Sequence, residues 1–90
     1  MRVAYRSADD TPLPRPKGRG EYVDLGVPEG TTQLMVAQWS SDYAYGMHYT
    51  STIDFDTVLE GSCVLILDDG RHELVAGDVA VITGVDHAWE

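Results

Sequence analysis

Turn residues recur along this chain too often to leave room for helices of ordinary length. From residue 21 onward, short apolar stretches are interrupted by Gly, Pro, Asp and Ser at 28–30, 40–42, 60–61, 68–70 and 76–78. Apolar stretches of this length between turn residues are typical of strands. The sequence therefore predicts an all-β protein with little or no helix, and many short strands in succession favour a sandwich or a barrel.

The apolar stretches between these breaks are the predicted strands: EYVDLGV, TQLMVAQW, FDTVLEG, CVLIL, HELVA, DVAVI and HAW. Asp68-Asp69-Gly70 predicts a tight turn between CVLIL and RHELV, because Gly supplies the positive φ that such turns need. These two strands should be antiparallel neighbours. Gly61, inside an otherwise strand-like pattern, predicts a strand that bends and then continues.

Charge divides the chain into an arm and a body. Residues 1–20 hold five basic and two acidic residues and include TPLPRPKGRG, whereas residues 21–90 hold one basic and thirteen acidic residues. The Pro- and Gly-rich composition of 1–20 predicts an extended or mobile N-terminal arm, and 21–90 is the predicted single domain. Because the acidic body repels phosphate groups, we expect no nucleic-acid partner.

Hydropathy favours a cytoplasmic protein with no membrane partner. No apolar run approaches the roughly 18 residues of a membrane span, and MRVAYRSADD lacks the apolar stretch of a secretory signal. The single cysteine, Cys63, cannot form an internal disulfide, and within SCVLIL it is interpreted as a small core residue.

Side chains that could carry chemistry fall into two clusters, His48 to Asp56 and Asp86 to Trp89. Alternate side chains of a strand share a face, which groups His48, Thr50, Thr52 and Asp54 in one cluster and His87 and Trp89 in the other. If the two faces meet, two imidazoles and one carboxylate converge. That set serves non-haem iron and also suits zinc, manganese or nickel.

The segment 46–90 resembles the two conserved blocks of the cupin superfamily. In HYTSTIDFDTVLEG, His48 matches the first histidine of the first block, Asp54 the glutamate position and Gly61 the closing glycine. In GDVAVITGVDHAW, the second block is matched by Gly77, Gly84 and His87. Two departures are visible, because Thr50 stands at the position of the second histidine and Ile82 at that of a proline.

The resemblance implies a double-stranded β-helix, a jelly-roll-like barrel whose lumen holds a metal or an organic ligand, often in a homodimer. The sequence lacks the last strand of such a barrel, so the implied fold is C-terminally abbreviated and one sheet edge is open. Natural proteins cover such an edge. Either the chain is a fragment, or a strand from the N-terminal region of a neighbouring copy completes the sheet.

The ligands implied for one divalent metal (Fe, Mn, Ni or Zn) are His48, Asp54 and His87. Residues expected to line the pocket or orient a substrate are Tyr45, Met47, Thr50, Thr52 and Trp89. Met35 and Trp39 are expected in the core. The remaining acidic residues are expected on turns and solvent faces: Asp56, Glu60, Asp68, Asp69 and Asp86.

Two functions follow from this interpretation. One is a metal-dependent enzyme that oxygenates, isomerises, cyclises or decarboxylates an organic acid, a phenol or a polyketide-like substrate. The other is a metal-free protein that binds or senses a small molecule, which Thr50 at a ligand position favours. A purely structural role for the two histidines is a third reading, and no catalytic residue is assigned.

Overall fold

The computed structural model describes residues 1–6 and 18–90, which form β-strands and no helix, as the sequence predicts. The strands in chain order are β1 (Glu21–Tyr22), β2 (Tyr45–Tyr49), β3 (Asp54–Thr57), β4 (Ser62–Leu67), β5 (Gly70–Val75), β6 (Val79–Ile82) and β7 (His87–Trp89). Within the described part of the chain, nothing helical could span a membrane. Most of the predicted N-terminal arm, residues 7–17, lies outside the described residues.

The strands form two sheets. The larger has the order β1-β2-β7-β4-β5 and the smaller consists of β3 and β6. β1 and β2 are parallel, and the other neighbouring strands are antiparallel. Across residues 1–6 and 18–90 the two sheets share no strand pairing and do not close into a barrel.

Residues 54–82 form one long hairpin that contributes to both sheets. At its closed end β4 pairs with β5 from Ser62↔Val75 to Leu67↔Gly70, which confirms the predicted antiparallel neighbours. Asp68 and Asp69 are the two turn residues, and neither has a positive φ. The positive φ, 129°, belongs to Gly70, the residue that follows them.

The hairpin bends between its two sheets at two glycines, one on each side of the hairpin. Beyond Ser62 the strands stay joined by hydrogen bonds from the Ala76 N–H to the Gly61 carbonyl and from the Val58 N–H to the Asp78 carbonyl. Gly61 (φ 75°) and Gly77 (φ 95°) lie at this bend, in a region of φ that favours glycine. The predicted bend at Gly61 is therefore present, and it carries β3 and β6 into a second sheet.

The core lies between the two sheets and is small. Leu65 and Trp89 come from the larger sheet and Ile82 from the smaller, and partly buried residues including Cys63 pack against them. Along β6 the side chains alternate, since Ile82 is buried at 2% exposure whereas Val79 is 59% exposed. The smaller sheet thus covers the larger one with a single face.

The segment 31–40 corrects a prediction. TQLMVAQW has the composition of a strand, but every residue from 31 to 40 is exposed and none belongs to a strand. Met35 and Trp39, expected in the core, are 56% and 40% exposed. Trp39 stacks on Tyr43, with ring centroids 4.5 Å apart, at the border of the core. EYVDLGV likewise supplies only the two residues of β1.

We predict that Ile82→Ala lowers the free energy of unfolding by about 2–5 kcal/mol, because it removes most of a fully buried side chain and leaves a cavity. Val79→Ala, on the same strand, is the matched control and should change it by about 0.5 kcal/mol or less. Urea denaturation measures both. Equal losses for the two variants would contradict a core centred on the inner face of β6.

Candidate functional site

A β-bulge brings the two predicted histidines together. β2 and β7 pair at Tyr45↔Trp89 and at His48↔His87, with an irregularity between the two pairs. Over this interval β2 contains one more residue than β7. The imidazoles of His48 and His87 face each other with centroids 4.2 Å apart. Both residues are buried, at 8% and 2% exposure. Bulges commonly redirect side chains next to functional sites.

Both imidazoles are held in the same way. Nδ1 of His48 lies 2.8 Å from the carbonyl oxygen of Gly46, and Nδ1 of His87 lies 2.9 Å from that of Val85. A carbonyl oxygen only accepts, so each Nδ1 carries the hydrogen and donates it. In the neutral ring Nε2 then holds a free lone pair. Each histidine therefore presents an acceptor, or a metal-ligating nitrogen, from a fixed ring.

The environment of His48 favours its neutral form. Burial lowers the pKa of His48, and a positive charge on His87 would lower it further. The hydrogen bond to Gly46 and the charge of Asp54 oppose this in part, but the pKa remains below its ordinary value. The lone pair on Nε2 is thus retained to lower pH than in a solvent-exposed histidine.

A chain of hydroxyls leads from the histidine face to Asp54. The Thr52 hydroxyl donates to Oδ1 of Asp54 at 2.6 Å, and Oγ1 of Thr50 lies 2.8 Å from Oγ1 of Thr52. Because the single hydroxyl hydrogen of Thr52 is donated to Asp54, Thr50 is the donor in the second bond. Thr50 is buried at 3% exposure. The single extended strand that groups these residues in the sequence is not present, because Thr50 and Thr52 lie in the bend between β2 and β3.

The three predicted metal ligands are only partly assembled. In the described part of the chain, no three or more His, Cys, Asp or Glu side chains stand close enough to hold one ion. His48 and His87 meet, whereas Asp54 influences His48 through its charge and is hydrogen-bonded to Thr52. The donor set that the geometry offers a metal is therefore two imidazoles.

The other predicted pocket residues surround the histidine pair unequally. Tyr45 packs edge-on against His48, with centroids 4.6 Å apart, and is 42% exposed. Met47 is half-buried. Trp89 lies 6.2 Å from His87 and is part of the core. An aromatic side chain thus flanks each histidine.

An open pocket of about 240 Å³ lies beside the turn that joins β4 and β5. Its lining residues are Leu67, Asp68, Asp69, Val85 and Asp86. Val85 connects it to the site, because the Val85 carbonyl accepts the hydrogen bond from His87. None of the residues predicted to line a pocket lines this cavity.

The expectation that Asp56 lies on a solvent face is wrong. Asp54 and Asp56 alternate along β3 with the exposed Phe55, and both are half-buried. Burial, followed by the charge of Asp54, raises the pKa of Asp56 to about 6. Burial and the charge of Asp56 in turn raise the pKa of the Cys63 thiol. The inner face of β3 therefore carries two carboxyl groups, those of Asp54 and Asp56.

Asp86, also expected on a solvent face, is buried, at 1% exposure. Its carboxylate accepts hydrogen bonds from the backbone N–H groups of Arg19, at 3.0 Å, and Gly20, at 3.2 Å. In the sequence, GVDH has the composition of a turn, and the partners of Asp86 lie 66 and 67 positions away. No local signal could have revealed this role.

Comparison with known proteins gives short, partial similarities. The chain is 46% identical over 44 residues to phomopsin biosynthesis cluster proteins C′ and D of Diaporthe leptostromiformis, which is 48% of this chain and 23% of either protein. It is 44% identical over 43 residues to oryzines biosynthesis cluster protein J of Aspergillus oryzae, or 47% of this chain and 24% of that protein. The similarity thus spans about a quarter of these curated relatives. No protein-family profile and no solved structure matches.

We predict that Asp56→Asn changes how stability depends on pH. The pKa of Asp56 rises on folding from 3.8 to about 6, so between these values the folded state holds a proton that the unfolded state releases. Stability of the native protein therefore falls as pH rises through this window, and Asn abolishes the contribution. The variant should gain about 1–2 kcal/mol over the native protein between pH 4 and 6.5, after allowance for solvent screening.

Urea denaturation at several pH values measures this difference. Asp69→Asn is the control, because Asp69 lies in the exposed turn and its pKa is lowered, chiefly by its hydrogen bond to His72. A constant difference between native protein and Asp56→Asn across the window would contradict an inward-facing Asp56.

Proposed function

We propose that the protein binds a small organic molecule at the His48–His87 pair, as a cupin-type protein with its site between two sheets. The observation that carries the proposal is that two buried imidazoles in contact share one hydrogen-bond arrangement, each with Nδ1 donating to a backbone carbonyl. Nε2 of each ring is then an acceptor. A ligand that fits two adjacent acceptors donates hydrogen, as a phenol or a protonated organic acid does.

The surroundings support an aromatic or otherwise flat ligand. Tyr45 and Trp89 flank the two histidines, and the edge of one ring on the face of another is a favourable contact. Thr50 uses its hydrogen on Thr52, so its oxygen is left as a further acceptor. Such a site selects for hydroxyl-bearing rings over bare carboxylates, because the histidine pair, Thr50 and Asp54 all present acceptors.

The relatives support a biosynthetic setting. They are named for the phomopsin and oryzines biosynthesis clusters. For this chain we propose the same setting, a biosynthetic process. The cupin-type fold is supported by two β-sheets, the hairpin that links them and the meeting of the two blocks at His48 and His87.

A second candidate function, a metal-dependent enzyme, is favoured by one specific observation. Metal-bound histidines usually donate their other ring nitrogen to a carbonyl or a carboxylate, which is the arrangement that His48 and His87 show. The residues that would hold Fe, Mn, Ni or Zn are these two histidines, with Asp54 as the proposed third ligand. A metal bound there would polarise a substrate oxygen as a Lewis acid.

We predict that small phenols bind the native protein and that His48→Ala and His87→Ala each weaken the binding about tenfold, the loss expected for one hydrogen bond. The probes are phenol, catechol and benzoate, and the measurement is the ligand-induced shift of protein NMR signals. His72→Ala is the matched control, since His72 is an exposed residue of β5 whose imidazole bonds Asp69. This variant should bind like the native protein.

A second arm adds Zn²⁺, Mn²⁺, Ni²⁺ or Fe²⁺ before the probe. Metal binding lost in His48→Ala and His87→Ala, but kept in His72→Ala, would favour the metal-dependent enzyme over the metal-free protein. If none of the probes binds with or without metal, or if all three histidine variants behave alike, the proposed site is wrong.

A further inference from the structure

We infer that Asp86 and Gly20 are positioning residues that clamp the backbone of His48 against β7. The inference rests on the proposed function, because it concerns how the histidine pair of that site is held. Its elements are a buried carboxylate, a glycine with no space around it, and the strap, which we define as residues 18–23. The contacts that carry it join three segments far apart in sequence.

The strap approaches β2 from its free edge. β1, within the strap, pairs in parallel with β2 at Glu21↔His48 and Tyr22↔Tyr49, and the Val23 N–H donates to the Tyr49 carbonyl at 2.9 Å. His48 therefore lies between the strap on one side and His87 on the other. Any displacement of the strap acts directly on the backbone that carries one of the two imidazoles.

Asp86 ties the strap to β7. Its two carboxylate oxygens accept the N–H groups of Arg19 and Gly20, and it precedes His87, the first residue of β7. The carboxylate thus spans from the strap to the segment that carries the second imidazole. Charge-assisted bonds of this kind are stronger than those between neutral groups. Among the described residues, the one ion pair in this region joins Arg19 and Asp68 at 2.9 Å, and it is exposed.

The surroundings of Gly20 show how closely the strap packs against His48 and Asp86. A Cβ added at Gly20 would lie 2.7 Å from Oδ1 of Asp86 and 2.8 Å from both Cα and N of His48. These are distances that real Cβ atoms do not adopt, and two of the three atoms belong to backbone. The φ of Gly20 is not positive, so the requirement for glycine here is one of space. An alanine would have to push the strap away from His48, from Asp86, or from both.

Two pairs of variants test the clamp. Gly20→Ala is matched by Glu21→Ala in the same strap, because the Glu21 side chain is exposed and its backbone pairing with His48 is retained. Asp86→Asn is matched by Asp68→Asn, which removes the same charge from the exposed pair with Arg19. All four are studied in the full chain.

The measurement is amide hydrogen exchange at Val23, whose N–H bonds the Tyr49 carbonyl, and the NMR ring signals of His48 and His87 at one pH without ligand. Amide exchange of the β4–β5 hairpin measures folding. We expect Gly20→Ala and Asp86→Asn to speed exchange at Val23 about tenfold, the effect of losing one hydrogen bond, and to shift the His48 ring signals, because a displaced strap no longer holds β2 in place. Exchange in the hairpin should stay as in the native protein, and Glu21→Ala and Asp68→Asn should leave the Val23 rate and the ring signals unchanged.

Phenol affinity is measured on the same samples, with a loss of about tenfold expected for the two clamp variants if they misplace one hydrogen-bonding imidazole. If the native protein binds no phenol, the proposed function fails while exchange at Val23 still tests the clamp. Native-like Val23 exchange and His48 ring signals in folded Gly20→Ala and Asp86→Asn would overturn the inference. So would unfolding of both, because the clamp would then hold the whole fold and not the histidine in particular.

Discussion

The three residues of β7 hold the two halves of the larger sheet together. This strand lies between β2 and β4 and pairs with both, and all three of its residues are buried. On one side His87 faces His48, and on the other Leu65 is opposite Trp89. The pairing with β4 continues at Glu90, whose N–H and carbonyl bond to Val64. The core and the histidine pair therefore depend on the same short strand.

Hydrogen bonds to buried polar side chains contribute an unusually large part of the stability of this small fold. The buried side chains include four apolar ones (Leu65, Ile82, Ala88 and Trp89) and four polar ones (His48, Thr50, Asp86 and His87). In the described residues, no buried side-chain nitrogen or oxygen lacks a partner. A chain of this size buries little apolar surface, so an unsatisfied polar group would cost a large fraction of its stability. The carbonyl and backbone N–H partners of these side chains are thus as necessary to the fold as the apolar contacts.

Local signals in the sequence were sufficient for the hairpin. Asp68-Asp69-Gly70 and Gly61 specify a turn and a bend through backbone conformation, which neighbouring residues determine, and both features are present. Alternation along β2 and β3 agrees with inward-facing His48 and Asp54, whereas Thr50 and Thr52 lie between these two strands and belong to neither. Spacing along the chain does not specify that β2 pairs with β7, which is the pairing that brings His48 to His87.

Features that depend on distant contacts could not be predicted. The segment 31–40 has apolar residues in a strand-like pattern, but a strand needs a partner, and the sequence does not say whether one is present. Asp86 has the local context of a turn residue, and its burial depends on N–H groups at Arg19 and Gly20. Alternation along β3 places Asp56 on the same face as Asp54, whereas residue type alone predicts a solvent face, because carboxylates are seldom buried unless paired.

The central claim is that both imidazoles are fixed with hydrogen on Nδ1 and a lone pair on Nε2. Long-range ¹H–¹⁵N NMR correlation of the ring nitrogens, at a pH where His48 is neutral, tests it most directly. The account predicts protonated Nδ1 and unprotonated Nε2 in both His48 and His87, with exposed His72 as an internal reference. A hydrogen on Nε2 of either His48 or His87 would contradict it, because that nitrogen could then neither ligate a metal nor accept a hydrogen bond from a ligand.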